Sequence, residues 1–260
     1  MSAMSMIADE RHRFILDQVK QHGAAKISDL AEQLGVSEMT IHRDLNTLAQ
    51  RNLLRKVHGG AVAGNFIEVP YSDRAVRHHD AKVAIAKEAR SLVRSGMNVY
   101  LSPGSTTYEL AVLLDVPNLN IYTNSLPIAS ALARANRQNV TLLGGRVVGF
   151  AEALVGPLTE DTVQKQFFHL AFLGMTGLDE TVGMTVYTEE EVRILQAVLR
   201  ASRKTVLLSD ASKFDQVAAY SVGPLYTAHA LITNGLPDKY RAYCAQHDLD
   251  VTVVAVKGEA

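Results

Sequence analysis

The decamer "VSEMTIHRDL", from Val36 to Leu45, constrains this chain more than any other stretch. A helix-capping Ser is followed at once by Met39, Thr40, His42 and Arg43, while Ile41 and Leu45 keep helical spacing. An α-helix turns about 100° per residue, so Ile41, Leu45 and Leu48 share one stripe that should face a core. Met39, Arg43, Asn46 and Gln50 fall roughly opposite, with Thr40 and His42 on the flanks. The helix tip therefore offers donors, acceptors and one fixed cation on a face that packing does not need. Ser37 caps any helix well and Asp44 can pair with a nearby Arg, so the decamer alone fits an ordinary surface helix equally.

The surroundings favour recognition. Residues 11–21 carry Ile15, Leu16 and Val19. Residues 28–34 carry Leu30, Ala31 and Leu34, with Ser28 as the expected cap and Glu32 in the first turns. The stretch "GVS" is a short turn containing Gly35, and a third helix runs from Glu38 to about residue 51, capped by Ser37. Two helices joined by a short Gly-bearing turn are a helix-turn-helix pattern. Next, "LLRKVHGGAVA" places two short β-like runs around Gly59-Gly60, a hairpin where a wing would sit. In such a unit the N-terminal positions of the second helix reach base edges in the major groove. Arg can hold guanine O6 and N7 with two hydrogen bonds, Thr can meet a thymine methyl or a phosphate, and the helix start favours phosphate. The candidate DNA-binding residues are Ser37, Met39, Thr40, His42, Arg43 and Asn46 on the helix. On the wing they are Arg55, Lys56 and His58, which would track the backbone and add affinity without sequence information. The net charge of −1 argues against a wholly basic nucleic-acid protein, but from Arg43 to His58 four cations stand against Asp44.

The rest of the chain has a different pattern. Short apolar runs alternate with amphipathic stretches. The expected strands are 98–101, 120–123, 140–143, 170–173, 205–208, 230–233 and 251–254; the expected helices between them are 106–114, 127–136 and 189–202. Strands apolar on both sides suit a buried parallel sheet, so the fold class is α/β: a winged helix-turn-helix joined to an open, Rossmann-like α/β domain. The expected boundaries are 1–64 for the first domain, 65–80 for a polar linker and 81–260 for the second domain.

Polar or Gly-rich loops recur after these strands, where open α/β sheets bind ligands. "NVYLSPGSTTYEL" places Gly104, Ser105, Thr106 and Thr107 at a helix start, an anion cradle in which the hydroxyls serve equally well as ordinary caps. "YTNSLPIASAL" places Thr123, Asn124 and Ser125, "TLLGGRV" places Gly144 and Gly145, and "AFLGMTG" places Gly174 and Thr176. In "LLSDASKF", Lys213 either neutralises a phosphate or lies along the surface, and Asp210 either binds a sugar hydroxyl or caps the next turn.

The segment "KISDLAEQLGVSEMTIHRDLNTLAQRNLLRKVHGGA" resembles the winged helix-turn-helix of the DeoR family of bacterial transcriptional regulators, over nearly all of residues 11–61. The motif V-S-x-x-T-I-x-R-D-L, then a basic residue and V-H-G-G-A, is specific; the family usually has Arg where this chain has His42. Residues 80–255 resemble the family's effector domain, a fold similar to that of sugar-phosphate isomerases, and G-[ST]-T-T, T-N-S-L, L-G-G and D-x-S-K-F all occur. Ser102 stands where that family usually has Asp, and Leu195-Gln196 where it usually has a basic pair. The resemblance implies a regulator of operator DNA, expected to be a repressor, with a phosphorylated sugar or related metabolite as effector. It is expected to form a homodimer or homotetramer with spaced half-sites.

Other chemistries fit less well. His78-His79 are adjacent and diverge in regular structure, and no H-x-x-x-H or Cys cluster occurs, so neither metal nor cofactor is expected. "PGST" is not a G-x-S-x-G elbow. An isomerase or transferase with an appended DNA-binding module is the alternative. Its available acids are Asp210 and Glu191, which form no arranged pair, so no catalytic residue is assigned. A third reading is an architectural regulator without an effector. Cys244 is the single cysteine, the start "MSAMSMIADERHRF" lacks an apolar leader run, and no stretch approaches the ~18 residues of a membrane span. A cytoplasmic protein with no membrane partner is expected.

Overall fold

The computed structural model of the chain describes residues 8–22, 24–50, 54–57, 59–62, 70–135 and 139–256. It forms two compact units, Met1–Glu68 and Val69–Ala260. The first runs α1 (Ala8–His22), β1 (Ala24–Lys26), α2 (Ile27–Leu34), α3 (Glu38–Gln50), β2 (Arg55–Val57) and β3 (Gly60–Val62). Ile15, Val19, Leu30, Ile41, Leu45 and Leu48 are each at most 1 % exposed and form its centre. Withdrawing each such side chain from water contributes roughly 1.5–3 kcal/mol. Between α2 and α3, Gly35 adopts the left-handed conformation (φ 62°) that ends α2, which the "GVS" turn requires.

β3 lies between β1 and β2, antiparallel to both. The three residues Ala-Ala-Lys of β1 are too short for alternation to reveal them. Their pairing corrects the expected cap of α2. The chain passes from strand directly into helix, the capping position is Lys26 and no side chain caps it. Instead the Ile27 N–H donates to the Gly59 carbonyl (3.0 Å), and Ser28 turns its hydroxyl to the Asp29 carboxylate (2.9 Å).

The second unit begins with α4 (Tyr71–Val76) and α5 (His79–Arg90). The stretch 65–80, expected as a linker, is therefore helical from Tyr71; the Tyr71 N–H donates to the Phe150 carbonyl (3.0 Å), which ties α4 to this unit. There follow β4 (Asn98–Leu101), α6 (Ser105–Leu113), β5 (Asn120–Thr123), α7 (Leu126–Arg134), β6 (Asn139–Leu142), β7 (Arg146–Val148), β8 (Ala153–Val155) and α8 (Pro157–Gln164). Then come β9 (Leu170–Leu173), β10 (Gly177–Asp179), β11 (Gly183–Val186), α9 (Glu189–Ala201), β12 (Thr205–Leu208), β13 (Tyr220–Gly223), β14 (Ala230–Thr233), α10 (Asp238–Gln246) and β15 (Asp250–Val253). A seven-stranded sheet has the order β15-β14-β12-β9-β4-β5-β6, parallel at every pairing. The first strand of this sheet in sequence, β4, lies between the second and the fourth, so strand order reverses at the β4/β9 boundary.

Both faces of the central strands β4, β9, β12 and β14 are buried, as near-continuous apolar strands require, while the edge strands β6 and β15 are partly exposed. Val99, Leu101, Phe172, Val206 and Ile232 face α5, α6 and α7, while Tyr100, Ala171, Leu173, Leu207 and Leu231 face the cluster that holds α9 and α10. The smaller sheet β10-β11-β13 and the hairpin β7-β8 are antiparallel additions.

Candidate functional site

In the first unit, Ser37 caps α3: its Oγ accepts the Thr40 N–H (3.2 Å) and lies 3.0 Å from the Thr40 hydroxyl. Met39 is 71 % exposed, Arg43 and Asn46 are exposed, and Thr40 and His42 are half-buried on the flanks. Lys56 on β2 donates to Asn46 Oδ1 (2.9 Å), which links hairpin and helix on the exposed face of α3. Arg55 lies in β2, and His58 lies outside the described residues.

Asp44 is not a surface partner of its neighbours. It is 5 % exposed and receives Arg11 Nε at 2.8 Å, a second guanidinium bond at 3.1 Å and His12 Nε2 at 3.1 Å. Burial works against its charge, but the bonds from Arg11 and His12 outweigh it and hold the carboxyl below the usual range. The acid adjacent to Arg43 in sequence thus faces inward, onto α1, and leaves the outward face to Met39, Arg43 and Asn46.

In the second unit, the carboxyl ends of β4, β9 and β12 flank the point where strand order reverses, the position at which open α/β sheets form a ligand crevice. Ser102 follows β4, is 1 % exposed and accepts the Gly174 N–H (2.9 Å), so it spans that boundary. Gly104 precedes α6 with no side-chain cap on the helix, which leaves the first amide groups beside Ser105 and Thr106. Lys213 ends a short 3-10 turn after β12, in electrostatic reach of Asp210, Arg74 and Arg77; burial first, and the two arginines after it, push its ammonium down.

Several other candidates from the sequence make hydrogen bonds or close packing contacts within the chain. The Thr107 hydroxyl is fully buried and donates to the loop carbonyls of Ser102 (2.8 Å) and Gly104 (3.0 Å). Thr123 donates to Leu101 (2.7 Å) and accepts the Ser125 N–H (3.1 Å). Asn124 accepts from the Tyr100 hydroxyl (2.7 Å) and donates to Leu154 (2.8 Å), and Ser125 caps α7. Gly144 and Gly145 allow close packing: a Cβ at Gly145 would meet the Val155 carbonyl oxygen at 2.6 Å. Asp210 caps the 3-10 turn by accepting the Ser212 N–H (3.0 Å). Glu191 closes a capping box, accepting the Thr188 (3.0 Å) and Tyr187 (3.2 Å) amides. Leu195 is core, and Gln196 donates to the Val222 carbonyl (2.9 Å).

The sequence reading passed over Arg74, Arg77 and Lys82. Lys82 is 3 % exposed, and its ammonium donates to the carbonyls of Arg74 and Arg77. Two arginines and a lysine within nine residues were the available signal, masked by the polar character that made the stretch look like a linker. Among the described residues no group of His, Cys, Asp and Glu could hold a metal ion, and no helix is long and apolar enough to cross a membrane.

The sequence matches the family models described as the DeoR-like helix-turn-helix domain, over residues 11–65, and the DeoR C terminal sensor domain, over residues 77–235. The glycerol-3-phosphate regulon repressor of Escherichia coli is 31 % identical over 88 % of this chain and 91 % of its own length. The L-fucose operon activator of Haemophilus influenzae is 30 % identical over 92 % and 97 %, and the transcriptional regulator GlpR of Haloferax volcanii is 33 % identical over 90 % and 92 %. A solved ribose 5-phosphate isomerase from Methanocaldococcus jannaschii aligns with 53 % of this chain and 55 % of its own at 19 % identity and TM-score 0.38. The chain belongs to the DeoR family of DNA-binding transcriptional regulators.

Proposed function

We propose that the chain represses transcription by inserting the N-terminal half of α3 into the major groove, and that a phosphorylated sugar or related metabolite bound in the second unit changes operator affinity. One observation carries the DNA side: Met39, Arg43 and Asn46 face outward while Asp44 is drawn inward onto Arg11 and His12. Arg43 and Thr40 meet base edges, Ser37 and the helix start meet phosphate, and Lys56, Arg55 and His58 follow the backbone. The effector seat is the open start of α6, with Gly104, Ser105 and Thr106, completed by the β9 loop at Gly174, which bonds Ser102, and by Lys213 after β12. Residues 1–64 form the DNA-binding domain and the sensor begins at α4. Two or four copies pair through the sensor, setting the half-site spacing.

The names of the glycerol-3-phosphate regulon repressors support repression and a phosphorylated ligand. Against an isomerase or transferase activity, Glu191 and Asp210 are both engaged in caps. Selection of bound duplexes from a random-sequence pool, followed by DNase footprinting, tests the DNA reading. Enrichment of no common sequence sinks it. Thermal unfolding across sugar phosphates tests the sensor, and turnover of any of them by the purified protein restores the enzyme reading.

A further inference from the structure

Four cations converge in the second unit, three from residues 74–82 and one from the turn after β12. Arg74 lies in α4, Arg77 ends it, Lys82 lies in α5 and Lys213 closes the turn after β12. Lys213 is in electrostatic reach of both arginines, and Lys82 of Arg74 and Lys213. The acids nearby are already engaged: Asp210 caps its turn, Glu191 closes a capping box, and Glu109 faces His79 at 3.6 Å. Lys82 spends its ammonium on the carbonyls at the end of α4.

Arg74 differs from these. Its Nε–H is buried and, among the described residues, is the one buried side-chain nitrogen or oxygen with no hydrogen-bond partner. Proteins satisfy nearly all such groups, and leaving a charged donor unmet in the interior is costly. Glu191 is in electrostatic reach of Arg74, but its carboxylate is held by the capping box, and no described acceptor meets the Nε–H. α4 also lies against the start of α6, because the Tyr71 ring meets Tyr108 edge-on with centroids 6.3 Å apart. At that start, α6 has no side-chain cap and opens with Ser105 and Thr106.

We infer that Arg74 binds the anionic group of the effector, its guanidinium closing over a phosphoryl group seated at the start of α6 with Lys213 beside it. A planar fork of donors matches phosphoryl oxygens better than a point charge does, and a dianion offsets the mutual repulsion of the cations. The inference rests on the sensor reading above and adds a residue and an element to it. The ligand would hold down α4, the first helix of the second unit.

The full-length protein is titrated with sodium phosphate against sodium chloride of matched ionic strength, following thermal unfolding. Wild type is expected to gain stability from phosphate. Arg74→Gln should need roughly tenfold or more phosphate for the same gain, as truncating one partner of a buried charge pair does, with Arg74→Lys in between and Lys213→Gln also weakened. Without phosphate, Arg74→Gln should unfold at or above the wild-type temperature, because a buried donor with no partner has gone. A lower temperature would mark Arg74 as a structural residue and overturn the inference. A wild-type phosphate response in Arg74→Gln with a lost response in Lys213→Gln overturns Arg74 alone and leaves the sensor standing. No gain over chloride in wild type overturns both.

Discussion

Arg43 and Asp44 are adjacent in sequence and opposed in structure, and their different surroundings separate recognition from folding. Arg43 is exposed on α3, so Arg43→Ala should leave the unit folded and weaken specific operator binding by about 1–3 kcal/mol, read by gel shift on a selected duplex. Asp44 is nearly buried on Arg11 and His12, and its carboxyl is held below the ordinary value. A carboxyl depressed by folding stabilises above its unfolded pKa of about 3.9, and that contribution is lost as pH falls through the folded value. Chemical denaturation of the first unit should therefore lose about 1–2 kcal/mol on acidification below about pH 4, and Asp44→Asn should have lost a similar amount at neutral pH already. A variant with wild-type stability at pH 7 would show the pair to be ornamental. Asn124 makes the same point in the second unit. Asn124→Ala leaves the buried Tyr100 hydroxyl without its acceptor and should cost about 1–3 kcal/mol, seen as a lower unfolding temperature, with the phosphate response of the folded protein retained. Loss of that response at full stability would return Asn124 to the ligand.

At the scale of elements, legibility followed burial. The strands β4, β5, β9, β12 and β14 fall where the sequence places them, because short runs apolar on both faces have few other uses. β6 and β15, at the two edges of the sheet, each begin one residue earlier than the apolar pattern suggests, since the polar residues Asn139 and Asp250 join the ladder, Asn139 with a side-chain bond to Asn120 as well (3.1 Å). The strands β10, β11 and β13 escaped notice because they are short and start or end on glycines, so no alternation marks them. α5 was hidden too: its buried face is built mostly of alanines around Ile85, a weak apolar stripe inside a charged segment. At the candidate site, residue types were legible and their partners were not. Thr107, Thr123, Asn124 and Ser125 read as polar loop residues in one dimension, and their hydrogen bonds reach main-chain and side-chain groups that only the folded sheet brings near. Glu191 was readable as a cap, since Thr188 stands three residues before it at a helix start. Thr188→Ala should accordingly cost about 1 kcal/mol in denaturant unfolding, while a wild-type midpoint would mean that water caps α9 equally well.

At the scale of the whole molecule, the matches to the helix-turn-helix and sensor-domain models fall in separate compact units, each with its own core. A ligand in the second can alter DNA binding by the first only if it binds differently to the DNA-competent and DNA-incompetent arrangements. Tight binding alone would do nothing. That requirement has a measurable consequence independent of which element carries the change. If an effector lowers operator affinity by some factor, the operator must lower effector affinity by the same factor, because the two binding free energies share one coupling term. Titrating the sugar phosphate that stabilises the protein, with and without saturating operator duplex, should give two dissociation constants whose ratio equals the ratio of operator affinities with and without effector. Typical coupling makes that ratio about 5–150. Equal constants alongside an effector-sensitive footprint would break that equality, and the site titrated would then not be the one that controls DNA binding, so the division of labour between the two units would fall.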